Sequence, residues 1–144
     1  MNSTLYFPFL NDELGETTLN GFFIFDCGLY LPPIVEMEDS LKKAAYTEKM
    51  LRSIDAVPND LILDKHGISS KVRALLITHA HLDHVGAVPF LGSRYPDAEI
   101  AGTPFTIEVL KGLYLDNNIP IKNKLVTYVE ILFDNTSAVK IEED

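Results

Sequence analysis

Apolar residues along this chain fall mostly into short runs of strand length, with two stretches where they recur at three- and four-residue spacing instead. Leu5 to Leu10 is aromatic and apolar and predicts a first strand, which Asn11-Asp12-Glu13-Leu14-Gly15 turns away from. Gly21 to Asp26 reads Gly-Phe-Phe-Ile-Phe-Asp, an unbroken apolar run that predicts a strand covered on both faces. Leu31-Pro32-Pro33 is expected to stop regular structure. From about Glu36 to about Asp55, Leu41, Ala44, Ala45, Met50, Leu51 and Ile54 recur at helical intervals among charged residues, which predicts an amphipathic helix broken near Tyr46. Asp60 to Asp64 reads as a short strand or turn, Lys65-His66-Gly67-Ile68 as a loop, and Val72 to Thr78 as a buried strand. Val85 to Leu91 predicts a short helix and Ala98 to Ala101 a short strand. Thr103-Pro104 starts a helix in the favoured way, with a hydroxyl at the cap and proline in the first turn. Phe105, Val109, Leu110 and Leu113 are its expected buried face, and Asn117-Asn118 its end. Leu125 to Leu132 has strand character, and the tail Glu142-Glu143-Asp144 is expected to be solvated.

Composition narrows what such a chain can be. At 144 residues it is long enough to bury a core, and 47% hydrophobic with 23% charged residues excludes disorder over the whole length. The formal net charge of −9 argues against a module that grips nucleic acid through a basic surface, because phosphates are neutralised by clustered Lys and Arg. It leaves room for an enzyme whose positive charge comes from metal ions. Cys27 is the single cysteine, so no internal disulfide forms, which fits a reducing compartment. The first ten residues lack a basic segment and contain Pro8, so no signal peptide is read there. No apolar run approaches the roughly 18 to 20 residues of a membrane-spanning helix. The expectation is a cytoplasmic protein.

The candidate chemistry is concentrated in Thr78-His79-Ala80-His81-Leu82-Asp83-His84, directly after the apolar Ala74-Leu75-Leu76-Ile77. Three of the four histidines and a carboxylate fall within six positions. Such a group gains no core, and its rings would repel one another if protonated, so a purely structural role explains it poorly. It reads as a metal site. His79 and His81 lie two apart, so in an extended or turning backbone both imidazoles can face one ion. Asp83 and His84 are adjacent where a loop turns into a helix, which makes room for a second ion. Neutral imidazole and carboxylate suit zinc, with manganese or iron as alternatives on ligand grounds. His66 is better read as a solvated loop residue. Asp26, at the end of a buried strand and before Cys27-Gly28, is either a plain turn aspartate or a charge placed at the rim of a sheet.

Strand, Asp-x-Gly turn, helix, strand, His-x-His-x-Asp-His and helix, in that order, resembles the metallo-β-lactamase superfamily. The words from Thr78 through Val85-Gly86-Ala87-Val88-Pro89, then Gly102-Thr103-Pro104-Phe105-Thr106-Ile107-Glu108, are similar to the ribonuclease J family, especially its archaeal form, within the β-CASP nucleases. Asp26-Cys27-Gly28-Leu29 and Val57-Pro58-Asn59-Asp60 sit where that family has similar words. The resemblance implies an α/β fold, the N-terminal half of an αββα sandwich, with residues 1–144 a single partial domain carrying a helical insertion at about 36–55. It implies that His79 and His81 bind a first zinc, that Asp83 and His84 bind a second and carry the catalytic centre, and that Asp26 steadies the metal loop without ligating. It also implies RNA as substrate and phosphodiester hydrolysis as the reaction.

The chain departs from the family in two respects. The superfamily completes its site with a further histidine, a bridging aspartate and a final histidine, whereas no histidine follows His84 here. Asp97, Asp116 and Asp134 come too early and in the wrong context to serve as the bridge. Nor is a β-CASP domain expected within these 144 residues. The expectation is therefore the N-terminal part of a nuclease, a truncated gene product or one half of a split enzyme, weakly active or inactive alone. Two other readings stand beside it: a metallo-hydrolase of small thioesters, lactones or lactams, and a non-catalytic metal-binding or partner-binding module. Half a sandwich should expose an apolar layer, which favours a second chain or self-association.

Overall fold

The computed structural model describes residues 21–38 and 46–127, together with the backbone of three short strands between residues 4 and 19. Those strands are β1 (Thr4–Tyr6), β2 (Phe9–Asn11) and β3 (Thr17–Leu19). Then follow β4 (Phe22–Phe25), α1 (Leu31–Glu38), α2 (Glu48–Ser53), α3 (Leu61–Lys65), β5 (Val72–Leu76), α4 (Leu82–Val85), α5 (Val88–Leu91), β6 (Glu99–Gly102), α6 (Pro104–Asp116) and β7 (Leu125–Thr127). Of the helix expected over 36–55, residues 36–38 end α1 and 48–53 form α2, while residues 39–45, the strand expected beyond Thr127, the acidic tail and Asp134 lie outside the described residues. Among the described residues, no helix is long and apolar enough to cross a membrane.

Five strands form one sheet in the order β1-β4-β5-β6-β7, while β2 and β3 pair as a separate antiparallel ribbon. β1 runs antiparallel to β4; β4, β5, β6 and β7 are parallel. Parallel neighbours require crossovers, which the helical segments supply. In register, Ile24 faces Leu75 and Leu75 faces Ile100, so these side chains share one face of the sheet. That face carries the core: Phe22, Ile24, Leu75, Ile77 and Ile100 are buried with Leu51, Val88, Leu91, Leu110 and Tyr114. Each such side chain stabilises the fold by about 1.5–3 kcal/mol relative to exposure. Phe23 and Phe25 on the other face are only half-buried, so β4 alternates where full coverage on both sides was expected.

Three further expectations are corrected. Leu31-Pro32-Pro33 begins α1 instead of stopping structure, because proline's fixed φ and missing N–H are tolerated in a first helical turn. Asp60 to Asp64 is not a strand; Leu61–Lys65 forms a helix of five residues. In α6 the buried side chains are Thr106, Ile107, Leu110 and Tyr114, whereas Phe105 is 71% exposed. Ile107, Leu110 and Tyr114 follow one helical stripe, and Phe105, two residues from Ile107, falls about 200° around the helix from it. The ends of α6 agree with the sequence. Thr103 Oγ1 accepts from Thr106 N at 3.2 Å, and Asn118 takes a left-handed φ of 54°. Asn118 N then donates to Leu115 O and Ile119 N to Tyr114 O, which closes the helix C-terminus.

A buried carboxylate ties α2, α3 and the turn after α5 together. Asp60 is 8% exposed and accepts from Arg52 Nη2 at 2.7 Å, Arg94 Nε at 3.1 Å and the Tyr95 hydroxyl. Arg52 also binds Glu48, and Arg94 binds Asp64, whose carboxyl is held below its usual range by Ser69 and then Arg94. Burial and then Asp60 push the Tyr95 phenol well above its ordinary value, so it remains a donor. Replacing one partner of a paired buried charge strands the others. Asp60→Asn is expected to lower stability by about 2 kcal/mol, discounted because both arginines keep some water. Urea denaturation checks this; a shift below about 0.5 kcal/mol would show that solvent screens the network.

Candidate metal centre

The candidate residues gather at the carboxyl ends of two adjacent parallel strands, β4 and β5, the end of an α/β sheet where ligands usually bind. The last rung between these strands pairs Phe25 with Leu76, and Asp26 N still donates to Leu76 O at 3.0 Å. Asp26 then leaves the strand with φ 59°, a left-handed conformation that costs most residues but that Asp adopts more readily than most. Beyond that point the Asp26 side chain takes over from the backbone as β5's partner: Thr78 N donates to Asp26 Oδ1 at 2.8 Å.

The turn after Asp26 is fastened to the metal-ligand candidates by backbone hydrogen bonds. Cys27 N donates to His84 O at 2.7 Å, Leu29 N to Leu82 O at 2.9 Å, and Ala87 N to Cys27 O at 3.0 Å. Gly28 lies against the Asp83 peptide so closely that a Cβ would sit 1.7 Å from Asp83 O. Its need for glycine is therefore close approach; the left-handed turn residue is Asp26 itself. Cys27 is buried, and burial, then Asp60, pushes its thiol far above the ordinary range, so it is packing and not a nucleophile.

His81 is the N-cap of α4, extended at φ −75° and ψ 143°, and its carbonyl accepts from His84 N and Val85 N. The helix start delivers Asp83 and His84 on adjacent positions, as the sequence predicts. His79, Asp83 and His84 each place one ligand atom so that all lie within 4.8 Å of one another, the group of this kind among the described residues. Donors at about 2 Å from a single ion lie up to about 4 Å apart, so small side-chain rotations would bring the three onto one cation. The His79 and His84 ring centroids are 3.8 Å apart, and His84 Nε2 is 3.6 Å from Asp83 Oδ2. His81 is exposed and stands outside that trio, its ring edge-on to His79 with centroids 4.7 Å apart. His66 is exposed at the end of α3.

Behind the trio stands Asp26, 8% exposed. Its Oδ2 is 2.7 Å from His84 Nδ1, and its two oxygens are each 2.9 Å from Thr78 Oγ1, which in turn is 2.9 Å from His79 Nδ1. An ionised carboxylate only accepts, so His84 Nδ1 carries the proton and its lone pair is on Nε2, the nitrogen a cation would take. A ring bonded to a carboxylate through one nitrogen and to a metal through the other is the usual outer arrangement of metal-binding histidine. The donor set and its backing thus fit a divalent cation. Asp26 was read from the sequence as turn residue or rim charge; it is both. Thr78 was read only as the end of a strand, and its contact with Asp26, 52 positions away, has no local signal.

The family model described as the Metallo-beta-lactamase superfamily matches residues 18–134. Ribonuclease J of Methanocaldococcus jannaschii is 37% identical over 105 residues, 72% of this chain and 22% of that protein. Ribonuclease J of Pyrococcus abyssi is 39% identical over 88 residues, 61% of this chain and 18% of that protein. Ribonuclease J of Mycolicibacterium smegmatis is 46% identical over 41 residues, 28% of this chain and 7% of that protein. The chain thus spans 22% or less of the length of these relatives.

Proposed function

The chain belongs to the metallo-beta-lactamase superfamily, and on that footing we propose that it contributes the first metal ligands of a ribonuclease that hydrolyses RNA phosphodiesters. It is a chain of the metallo-hydrolase class, with a fold that implies a divalent cation. The observation that carries the reading is the convergence of His79, Asp83 and His84 in front of Asp26 at the carboxyl ends of β4 and β5. RNA as the substrate is supported by the name its relatives bear, Ribonuclease J, and by their identity across this segment. Zinc fits the imidazole and carboxylate donors, with manganese or iron as substitutes. The domain is read as part of a metallo-β-lactamase unit with a helical insertion at about 36–55, working in the cytoplasm with other ligands supplied by further sequence or a second chain.

In this reading His79, Asp83 and His84 hold one cation, with Asp83 and His84 at the reacting centre, and His81, outside that trio, takes a second only together with ligands supplied from elsewhere. When bound, such ions supply Lewis-acid chemistry, acidifying water and offsetting charge on phosphoryl oxygens. The chain's own contribution is positioning. Asp26 keeps His84 in the Nδ1–H tautomer and aims its ring. The α4 start turns Asp83 and His84 toward His79, and the Gly28 turn holds that start against the sheet. Asp83 is half-exposed, so its carboxylate is reached from solvent.

The test is cleavage of an end-labelled single-stranded RNA by the purified chain with added zinc or manganese. Slow, chelator-sensitive cleavage that is lost in His84→Ala is expected. Cleavage that persists at the wild-type rate in His84→Ala would contradict the assignment.

A further inference from the structure

We propose that Thr78 is a positioning residue that sets the tautomer of His79, so that the one carboxylate of Asp26 governs two candidate metal-binding histidines, His84 directly and His79 through the Thr78 hydroxyl. The inference rests on the metal-site reading above and gives a function to a side chain that reading leaves without one.

The geometry forces the direction of each hydrogen bond. Thr78 Oγ1 sits 2.9 Å from Asp26 Oδ1, 2.9 Å from Asp26 Oδ2 and 2.9 Å from His79 Nδ1. A hydroxyl has one proton to give, and an ionised carboxylate has none. If that proton went to His79, Oγ1 would face both carboxylate oxygens at 2.9 Å with lone pairs on each side, an arrangement of repulsion. The proton therefore goes to Asp26, and Oγ1 can only accept from the ring. His79 must then carry its proton on Nδ1, which puts its lone pair on Nε2, on the other side of the ring. His84 reaches the same state through its own 2.7 Å contact with Asp26 Oδ2.

Backbone bonds hold the relay in place independently of the hydroxyl. Thr78 N donates to Asp26 Oδ1 at 2.8 Å, and Ile77 N donates to Ala101 O at 2.8 Å. Both survive a substitution at the Thr78 side chain, so the hydroxyl can be removed with the strand end kept. Serine retains the relay; valine keeps the branched shape and removes it; alanine removes both.

Imidazole tautomers are read directly from long-range proton–nitrogen correlation spectra of ¹⁵N-histidine-labelled, metal-free protein at about pH 8.5, above the ordinary histidine range. The wild type and Thr78→Ser are expected to show His79 as the Nδ1–H form, and Thr78→Val and Thr78→Ala to lose it. His84 should remain Nδ1–H in all four, which also reports that the fold is intact. Zinc affinity, measured by chelator competition, should fall roughly tenfold in Thr78→Val and recover to within about twofold in Thr78→Ser. An unchanged His79 spectrum and unchanged affinity in both Thr78→Val and Thr78→Ala would overturn the proposal. The tautomer is read without metal, so a wild-type chain that bound no zinc would defeat the metal-site reading while leaving the His79 spectra to decide the role of Thr78.

Discussion

Gly28→Ala is expected to lower stability by more than about 3 kcal/mol and to abolish metal binding at the site. A methyl group there would stand 1.7 Å from Asp83 O, 2.2 Å from Asp83 C and 2.8 Å from His84 N. All three are backbone atoms, so no side chain can swing aside. Relief requires the 26–29 turn to separate from the start of α4, which breaks the bonds from Cys27 N to His84 O and from Leu29 N to Leu82 O. Overpacking costs typically 1–3 kcal/mol, about 1 kcal/mol more goes with each lost hydrogen bond, and the whole fold has only about 5–15 kcal/mol to lose. Gly112 in α6 is the control: nothing lies within 4 Å of its Cβ position, so Gly112→Ala should be neutral or stabilising by up to about 1 kcal/mol. Thermal unfolding of the two variants separates them, and similar midpoints would mean that the turn does not approach α4 as described.

Asp26→Asn should leave the turn in place while weakening metal binding. Asparagine is also tolerated at positive φ, so the backbone at φ 59° is not the variable. The variable is the number of acceptors. Asp26 receives Thr78 N, Thr78 Oγ1 and His84 Nδ1 on two oxygens; asparagine offers one oxygen, and its amide N–H groups would oppose a donor. Loss of a carboxylate behind a metal-binding histidine lowers affinity roughly 10–100-fold. The folding cost should be smaller, about 1–3 kcal/mol for the donor left without a partner. Chelator competition and urea denaturation on the same preparation give both quantities. Wild-type zinc affinity in Asp26→Asn would show that the carboxylate does not orient His84.

The parts of the fold legible in the sequence are those set by neighbours a few residues apart. The hydroxyl and proline at Thr103-Pro104 cap α6, and the apolar run before Thr78 forms β5, because capping and burial of a short strand are local matters. The proximity of His79, Asp83 and His84 is legible for the same reason, since the candidate ligands lie within six positions, although the sequence pairs His79 with His81 and the structure sets His81 outside the trio. What the sequence concealed depends on partners far along the chain. Thr78 and His84 meet Asp26 across 52 and 58 positions, a link to the metal loop that only the family resemblance implies, and Gly28 meets Asp83 only because β4 and β5 are neighbours. Phe105 is exposed where the sequence predicts burial, because helical spacing fixes which residues share a face but not which face meets the sheet. At Leu31-Pro32-Pro33 the sequence predicts a break, yet a helix start accepts prolines.

The central claim is that His79, Asp83 and His84 converge on a divalent cation. Calorimetric titration of the metal-free chain with zinc, beside His79→Ala and His84→Ala variants whose folding is checked by circular dichroism, tests it most directly. The account predicts saturable binding in the wild type and its loss in both folded variants. Zinc binding of unchanged stoichiometry and affinity in those variants would contradict it.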